Sequence, residues 1–367
     1  MKVPLLDLKE QYSAIRQEVE SSLKKVIENQ DFILGAEVTD LEKEVAAYCG
    51  TKYGVGVASG TDALILSLKA LGIGSGDEVI TSPFTFFATA ESISVVGAKP
   101  VFVDIDPKTY NIDPLLIKAK ITKKTKAIMP IHLYGQCADM DPIMNIAEKY
   151  GLKVIEDNAQ GIGATYKGKK SGSMGDIGAL SFFPSKNLGA FGDAGMVITN
   201  NEKLAKEIKV LRVHGSSSRY VHSEIGMNSR LDNLQAAVLR IKLRYLDRWL
   251  EARRGIADFY GQRLKGLPVV TPHVGAYNVH TYHQYTLRVK SDQGKLMKHL
   301  LDSGIERRTY YPISLHLQEC YKSLAYRSGD MPESENAAKE VFSIPVFPEM
   351  TLEQKRYVAD IISGFFC

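Results

Sequence analysis

A chain of 367 residues and 40.6 kDa, 44% hydrophobic and 24% charged, has the make-up of a globular enzyme with room for a large domain and a smaller one. Its formal net charge of +4 is spread over interspersed acids and bases with no basic tail, which argues against nucleic acid as a partner while leaving a phosphate-bearing substrate compatible. Cys49, Cys137, Cys320 and Cys367 form neither a CxxC pair nor a cluster with histidines, so reduced thiols and no metal centre are expected.

The opening stretch MKVPLLDLKEQY lacks the apolar run of a signal peptide, and no later stretch approaches the ~20 apolar residues of a membrane span, so a cytoplasmic protein is expected. Residues 9–30 carry Tyr12, Ile15, Val19 and Leu23 on one stripe of an amphipathic helix. A second helix follows at 37–49. From residue 53 a strand–helix alternation sets in: strands at 53–59, 78–82, 100–105, 127–133 and 153–156, helices at 62–71, 88–96, 113–121 and 140–150. That order predicts an α/β fold, a mostly parallel sheet between helices. Segments 177–183 and 196–199 lie too close for a helix between them, so one of them should join the sheet antiparallel. A helix at 202–213, a polar loop at 214–228 and one long helical run at 231–259 come next. Arg240, Lys242, Arg244, Arg248, Arg253 and Arg254 lie on that run's other faces, and the arginines suit a solvated or interface surface. The remainder, strands at 284–289 and 305–310 with helices at 295–303 and 352–365, predicts a small α/β domain. The expected division is therefore 1–249, a large domain including the leading helix, and 250–367, a small C-terminal domain.

Ligands of open α/β sheets sit outside the carboxyl ends of the strands, and several such ends carry chemistry. Ser59-Gly60-Thr61-Asp62 opens a helix after the first strand, where free N–H groups and the helix dipole suit a phosphate, although Ser and Thr are also ordinary caps. Neither a Gly-x-Gly-x-x-Gly fingerprint nor a Gly-Lys-Ser/Thr loop is present, so a single small phosphate fits better than a dinucleotide or a triphosphate. Phe86 and Phe87 follow the second strand, where one could stack on a flat ring and either could equally be core. Asp157 closes an apolar strand and, buried, needs a cationic partner. Lys186 follows another, Asp176 to Phe183, and precedes Gly189, Gly192 and Gly195. Most lysines tip a loop into water; one held among apolar residues loses its proton more readily and can attack a carbonyl to give a Schiff base.

These residues resemble the DegT/DnrJ/EryC1/StrS sugar aminotransferases of the fold type I pyridoxal-phosphate enzymes. The resemblance runs through Ser59-Gly60-Thr61, Thr85 to Glu91, Gly97 to Asp104, Glu156 to Gln160, the Lys186 stretch, Asn228 to Asp232 and Tyr311 to His316. It implies a large domain built on a seven-stranded sheet and pyridoxal 5'-phosphate joined to Lys186. Asp157 would face the ring nitrogen, Phe86 the ring and Gln160 the phenolic oxygen. Gly60, Thr61 and Ser181 would hold the phosphate. Asn228 would reach the phosphate from a partner subunit, which makes a homodimer with shared sites the minimal unit, and Arg230, Tyr311 and His316 would face the substrate. Ser314 departs from the proline that similar motifs often carry. The reaction implied moves the amino group of L-glutamate to a keto sugar on a nucleoside diphosphate, giving an amino sugar for cell-surface glycan or lipopolysaccharide synthesis. Residues 310–318 look more like enzymes acting on 3-keto sugars (a UDP-2-acetamido-3-keto or dTDP-3-keto-6-deoxy type) than on 4-keto sugars. A 4-keto aminotransferase and a non-catalytic sugar-sensing protein of the same fold are the alternatives. A dehydratase of this fold would carry histidine for Lys186, and a nicotinamide dehydrogenase would need the missing glycine fingerprint.

Overall fold

The computed structural model describes residues 1–366; Cys367 lies outside them. Asp7 caps α1 (Leu8–Asn29), its carboxylate accepting the N–H groups of Lys9 and Glu10. Gly50 ends α2 (Ala36–Cys49) in the left-handed conformation. The alternation then runs β1 (Tyr53–Val57), α3 (Gly60–Ala70), β2 (Glu78–Thr81), α4 (Ala88–Val95), β3 (Lys99–Phe102), α5 (Pro114–Ile117), β4 (Thr125–Met129), α6 (Met140–Tyr150) and β5 (Lys153–Asp157). Short strands β6 (Thr165–Tyr166) and β7 (Lys169–Lys170) precede β8 (Ile177–Ser181) and β9 (Gly195–Thr199). After α7 (Glu202–Leu211) comes a hairpin, β10 (Ser216–Ser218) with β11 (Val221–His222), then α8 (Asn233–Leu243) and α9 (Leu246–Arg263). The C-terminal part holds β12 (Asn278–Val279), β13 (Tyr285–Arg288), α10 (Gln293–Asp302), α11 (Pro332–Glu340), β14 (Val341–Ile344) and α12 (Leu352–Phe366).

Seven strands form one sheet in the order β1-β9-β8-β5-β4-β2-β3. As expected from the short link between them, β8 and β9 pair antiparallel; β9 also runs against β1, and every other pair is parallel. The period of two decides what each face buries. Val55, Val57 and Val197 pack with residues of α3 and α7, whereas Met196 and Ile198 face Leu41 and Val45 of α2 and Leu239 of α8. The glycines of β1 let the second layer approach: a Cβ at Gly56 would sit 2.9 Å from Leu231 Cβ, and one at Gly54 would sit 2.4 Å from the Glu42 carbonyl.

Several boundaries differ from expectation. The helix expected at 113–121 is only α5 followed by a 3-10 turn at Lys118–Lys120. The single run expected at 231–259 is two helices, broken where Arg244 and Tyr245 make tight bonds back to the Ile241 and Lys242 carbonyls. Arg253 is not on a solvated face: it is buried and donates to the Val346 carbonyl (2.7 Å) and the Tyr282 carbonyl (3.1 Å). Residues 305–310 contribute isolated bridges, Val3 with Ile305 and Arg308 with Ser343, while the strand that pairs with β13 is β14. The expected division at 249/250 falls inside α9. Leu246 and Leu250 pack with α2 and α8, whereas Ile256, Ala257 and Tyr260 belong to a C-terminal core that also takes in Val3.

Candidate active site

The ends of β1, β5 and β8 and the turn after β2 converge on a cleft of about 500 Å³. At its floor Ser59 caps α3, its hydroxyl accepting the Asp62 N–H at 3.1 Å. Gly60 follows. A Cβ there would lie 2.6 Å from Ser181 Cβ and 3.0 Å from its hydroxyl, so the helix start and the Ser181 side chain touch only because residue 60 has none. Thr61 completes a cradle of first-turn N–H groups and hydroxyls, which is a phosphate-sized anion site.

Alternation along β5 sends its last two acids opposite ways. Glu156 faces away from the cleft, fully buried, and accepts the N–H groups of Gly172 (2.8 Å), Met174 (2.7 Å) and Gly175 (2.6 Å). His132 Nδ1 accepts the Ala138 N–H, so Nε2 donates to Glu156 at 2.7 Å. Asp157 faces the cleft. Its Oδ2 accepts from the Thr89 hydroxyl at 2.7 Å and its Oδ1 from the Ala159 N–H at 3.2 Å. Burial raises its pKa, opposed by the Thr89 and Ala159 bonds and then by the positive charge of Lys186.

Lys186 lies half-buried in the cleft with its ammonium wrapped by protein, and desolvation lowers its pKa to about 8, opposed by Asp157. Gln160 is held as an oriented amide: its Oε1 accepts the Tyr134 N–H at 2.7 Å and its Nε2 donates to the Tyr311 hydroxyl at 3.0 Å. Phe86 is 58% exposed and tilts against Tyr311 with ring centroids 6.0 Å apart, while Phe87 packs on Tyr321, so one aromatic of the pair faces the cleft and the other is core. The arrangement fits pyridoxal phosphate: an anion cradle, a buried acid and an amine with an accessible neutral form, all on one cavity.

The remaining expected residues are placed differently. Asn228 is exposed and Arg230 half-buried with Nε unpaired, and neither lines the cleft of its own chain. Ser229 between them is fully buried, donating to Asp62 Oδ2 (2.7 Å) and accepting the Ala58 N–H (3.1 Å), which pins the segment to the start of α3. His316 is not brought to the cleft of its own chain: its ring is buried, with Nδ1 3.0 Å from the Ser314 hydroxyl and Nε2 3.1 Å from Glu335. Thr89, His283, Gln284 and Arg308 line the cleft and were not anticipated. Thr89 had a signal, since it stands four residues after Thr85 in the first turn of α4; the other three had none. Among the described residues, no group of three or more His, Cys, Asp or Glu side chains could hold a metal ion.

The model of the DegT/DnrJ/EryC1/StrS aminotransferase family matches residues 13–363. A "Pleiotropic regulatory protein" of Geobacillus stearothermophilus is 51% identical over 100% of this chain and 99% of its own. A UDP-2-acetamido-2-deoxy-3-oxo-D-glucuronate aminotransferase of Pseudomonas aeruginosa is 44% identical over 94% of this chain and 95% of its own. The crystal structure of S. venezuelae DesV superposes with a TM-score of 0.97 at 41% identity, covering 99% of this chain and 98% of that one.

Proposed function

Because the chain belongs to the DegT/DnrJ/EryC1/StrS aminotransferase family, we propose that it moves the amino group of L-glutamate to carbon 3 of a keto sugar carried on a nucleoside diphosphate. The family depends on pyridoxal phosphate, which when bound supplies the electron sink of amino transfer. The observation that carries the proposal is the pairing, in one cleft, of Lys186 at a pKa of about 8 with the buried Asp157 carboxylate. Asp157 holds a proton on the ring nitrogen; Thr89 and the Ala159 N–H keep its carboxylate aimed there. Lys186 moves the proton at the reacting carbon as general base and then acid. The first turn of α3, Gly60, Thr61 and Ser181 take the phosphate, Gln160 the phenolic oxygen and Phe86 the ring face. Asn228 and Arg230 serve the site of a second copy, and Tyr311 faces the substrate.

The 3-oxo substrate named for the Pseudomonas relative supports carbon 3, and the amino sugar would enter surface glycan or lipopolysaccharide synthesis. No helix among the described residues is long and apolar enough to cross a membrane, and we place the reaction in the cytoplasm. The Geobacillus relative's name favours a second reading, a regulatory sugar sensor. Both are tested by incubating the cofactor-loaded protein with glutamate and a panel of 3-keto and 4-keto nucleotide sugars, with mass detection of the amino product. Product from 3-keto sugars, abolished by Lys186→Ala, is expected. Wild-type turnover by Lys186→Ala would overturn the mechanism, and tight sugar binding without turnover would favour the sensor.

A further inference from the structure

The C-terminal wall of the cleft is built from His283, Gln284, Arg308 and Tyr310, none of which the proposed reaction has used. Arg308 is fixed at its backbone, donating its N–H to the Ser343 carbonyl (3.2 Å) and accepting the Ser343 N–H (2.8 Å). Arg308 is exposed and lines the cleft, and its guanidinium has no carboxylate within ion-pair distance among the described residues. Arg212, Arg240, Arg263 and Arg288 each sit on one, and Arg253 is spent on carbonyls. Beside it, His283 Nδ1 and Gln284 Oε1 are buried without any partner. Tyr310 lines the cleft beside them, half-buried, and burial raises its pKa, so its hydroxyl keeps a proton to give away.

We propose that this wall is a carboxylate-binding subsite in which Arg308 takes the two oxygens as a planar fork and Tyr310 donates a further hydrogen bond. A guanidinium on a rigid backbone, with unsatisfied polar atoms beside it in a cavity, is what recognition of a planar anion requires. His283 contributes as a neutral group, because burial and the cations Lys186 and Arg253 hold its pKa well below the ordinary value. The subsite rests on the aminotransferase reading for its occupants only in this sense: that reaction brings two candidate carboxylates, one on the amino donor and one on a uronic sugar.

The test uses the pyridoxal-phosphate-loaded protein and glutarate, an unreactive dicarboxylate, by calorimetry, with single-turnover conversion by L-glutamate measured alongside. Arg308→Gln should weaken glutarate and lower kcat/KM for glutamate about 10- to 100-fold, the scale of one charge-assisted pair, with Arg308→Lys between. An unaltered visible cofactor band and melting temperature separate this from misfolding. If only a uronate-bearing keto sugar is weakened, the subsite stands and its carboxylate is the sugar's. Equal affinities of wild type and Arg308→Gln for every carboxylate, or no carboxylate binding by the wild type, overturn it. Glutarate binding that depends on Arg308 in a protein that transfers no amino group would instead refute the proposed function and leave the subsite in place.

Discussion

Lys186 shows how strongly burial can prepare one side chain for chemistry. With a pKa of about 8, roughly a tenth of it is free amine at pH 7, against about one part in 3,000 for an ordinary lysine. The amine is the form that captures the aldehyde. Cofactor capture by apoprotein should therefore speed up about tenfold per pH unit and level off above about pH 8, read from growth of the visible cofactor band. Asp157 raises the Lys186 pKa, so Asp157→Asn removes a stabilising negative charge and must move that inflection to lower pH; an upward move would contradict the electrostatic coupling. The acid itself depends on a smaller residue. Thr89→Val deletes the 2.7 Å hydrogen bond to Oδ2 without changing shape, leaving burial less opposed and the Asp157 pKa higher. A fall in kcat of about tenfold at neutral pH is expected, the order of one hydrogen bond to a buried charge. Thr89→Ser, which keeps the donor hydroxyl, should recover most of the rate. An equal loss in Thr89→Ser would assign Thr89 a packing role only.

Between elements, α8 supports the loop that follows Lys186. Lys242 is buried, its pKa drawn down to about 8 by desolvation, and it donates to the Gly189 carbonyl at 2.7 Å with its ammonium 5.1 Å from the Phe191 ring centroid. Lys242→Met keeps the stem's volume and removes the donor, so that carbonyl is left unsatisfied and amides 187–191 should exchange with deuterium about 10-fold faster or more. Equal protection in both proteins would show that glycine geometry alone holds the loop. This support was invisible in the amino-acid order, because Lys242 reads as one more charge on an amphipathic run, and the reasons for other misreadings are similar. The break between α8 and α9 leaves no trace in the apolar spacing, which continues through Arg244 and Tyr245. Strand β14 follows α11 with no turn residue between Glu340 and Val341, so nothing marks where helix becomes strand. What was legible had a period or a cap behind it: β5 ends its apolar run on Asp157, and Ser59 opens α3. The placement of His316 was not legible because a motif carries no direction, and the turn Leu315–Leu317 sets the ring against Glu335. Arg308 was missed because one arginine between Arg307 and Thr309 carries no pattern; only the bridge to Ser343 puts it on the cleft.

At the scale of the whole molecule, we propose that the chain is half of the working unit. Phe183, which lines the cleft, and Phe191 are exposed on the Lys186 loop, and Tyr220 and Ile225 lie open on and beyond the β10–β11 hairpin; large apolar side chains left open are what a second subunit covers. The exposed Asn228 sits beside Ser229, which is pinned to Asp62, and lines no part of the cleft of its own chain, which leaves it available to the site of another copy. If so, Lys186 and Asn228 act in trans, and two inactive variants should rescue one another. In a heterodimer of Lys186→Ala with Asn228→Ala, the site that keeps Lys186 receives Asn228 from the other subunit and is intact, while the second site lacks both. Random exchange at equal amounts makes half the dimers mixed, so about a quarter of the wild-type sites should return. Were Asn228 to serve the cleft of its own chain, every site in the mixture would lack one residue and no activity would reappear. Cofactor retention by Asn228→Ala alone, followed by its visible band under dilution, reports the same contact without relying on turnover, since a lost phosphate contact should weaken retention several-fold in the variant and recover in the mixed dimers.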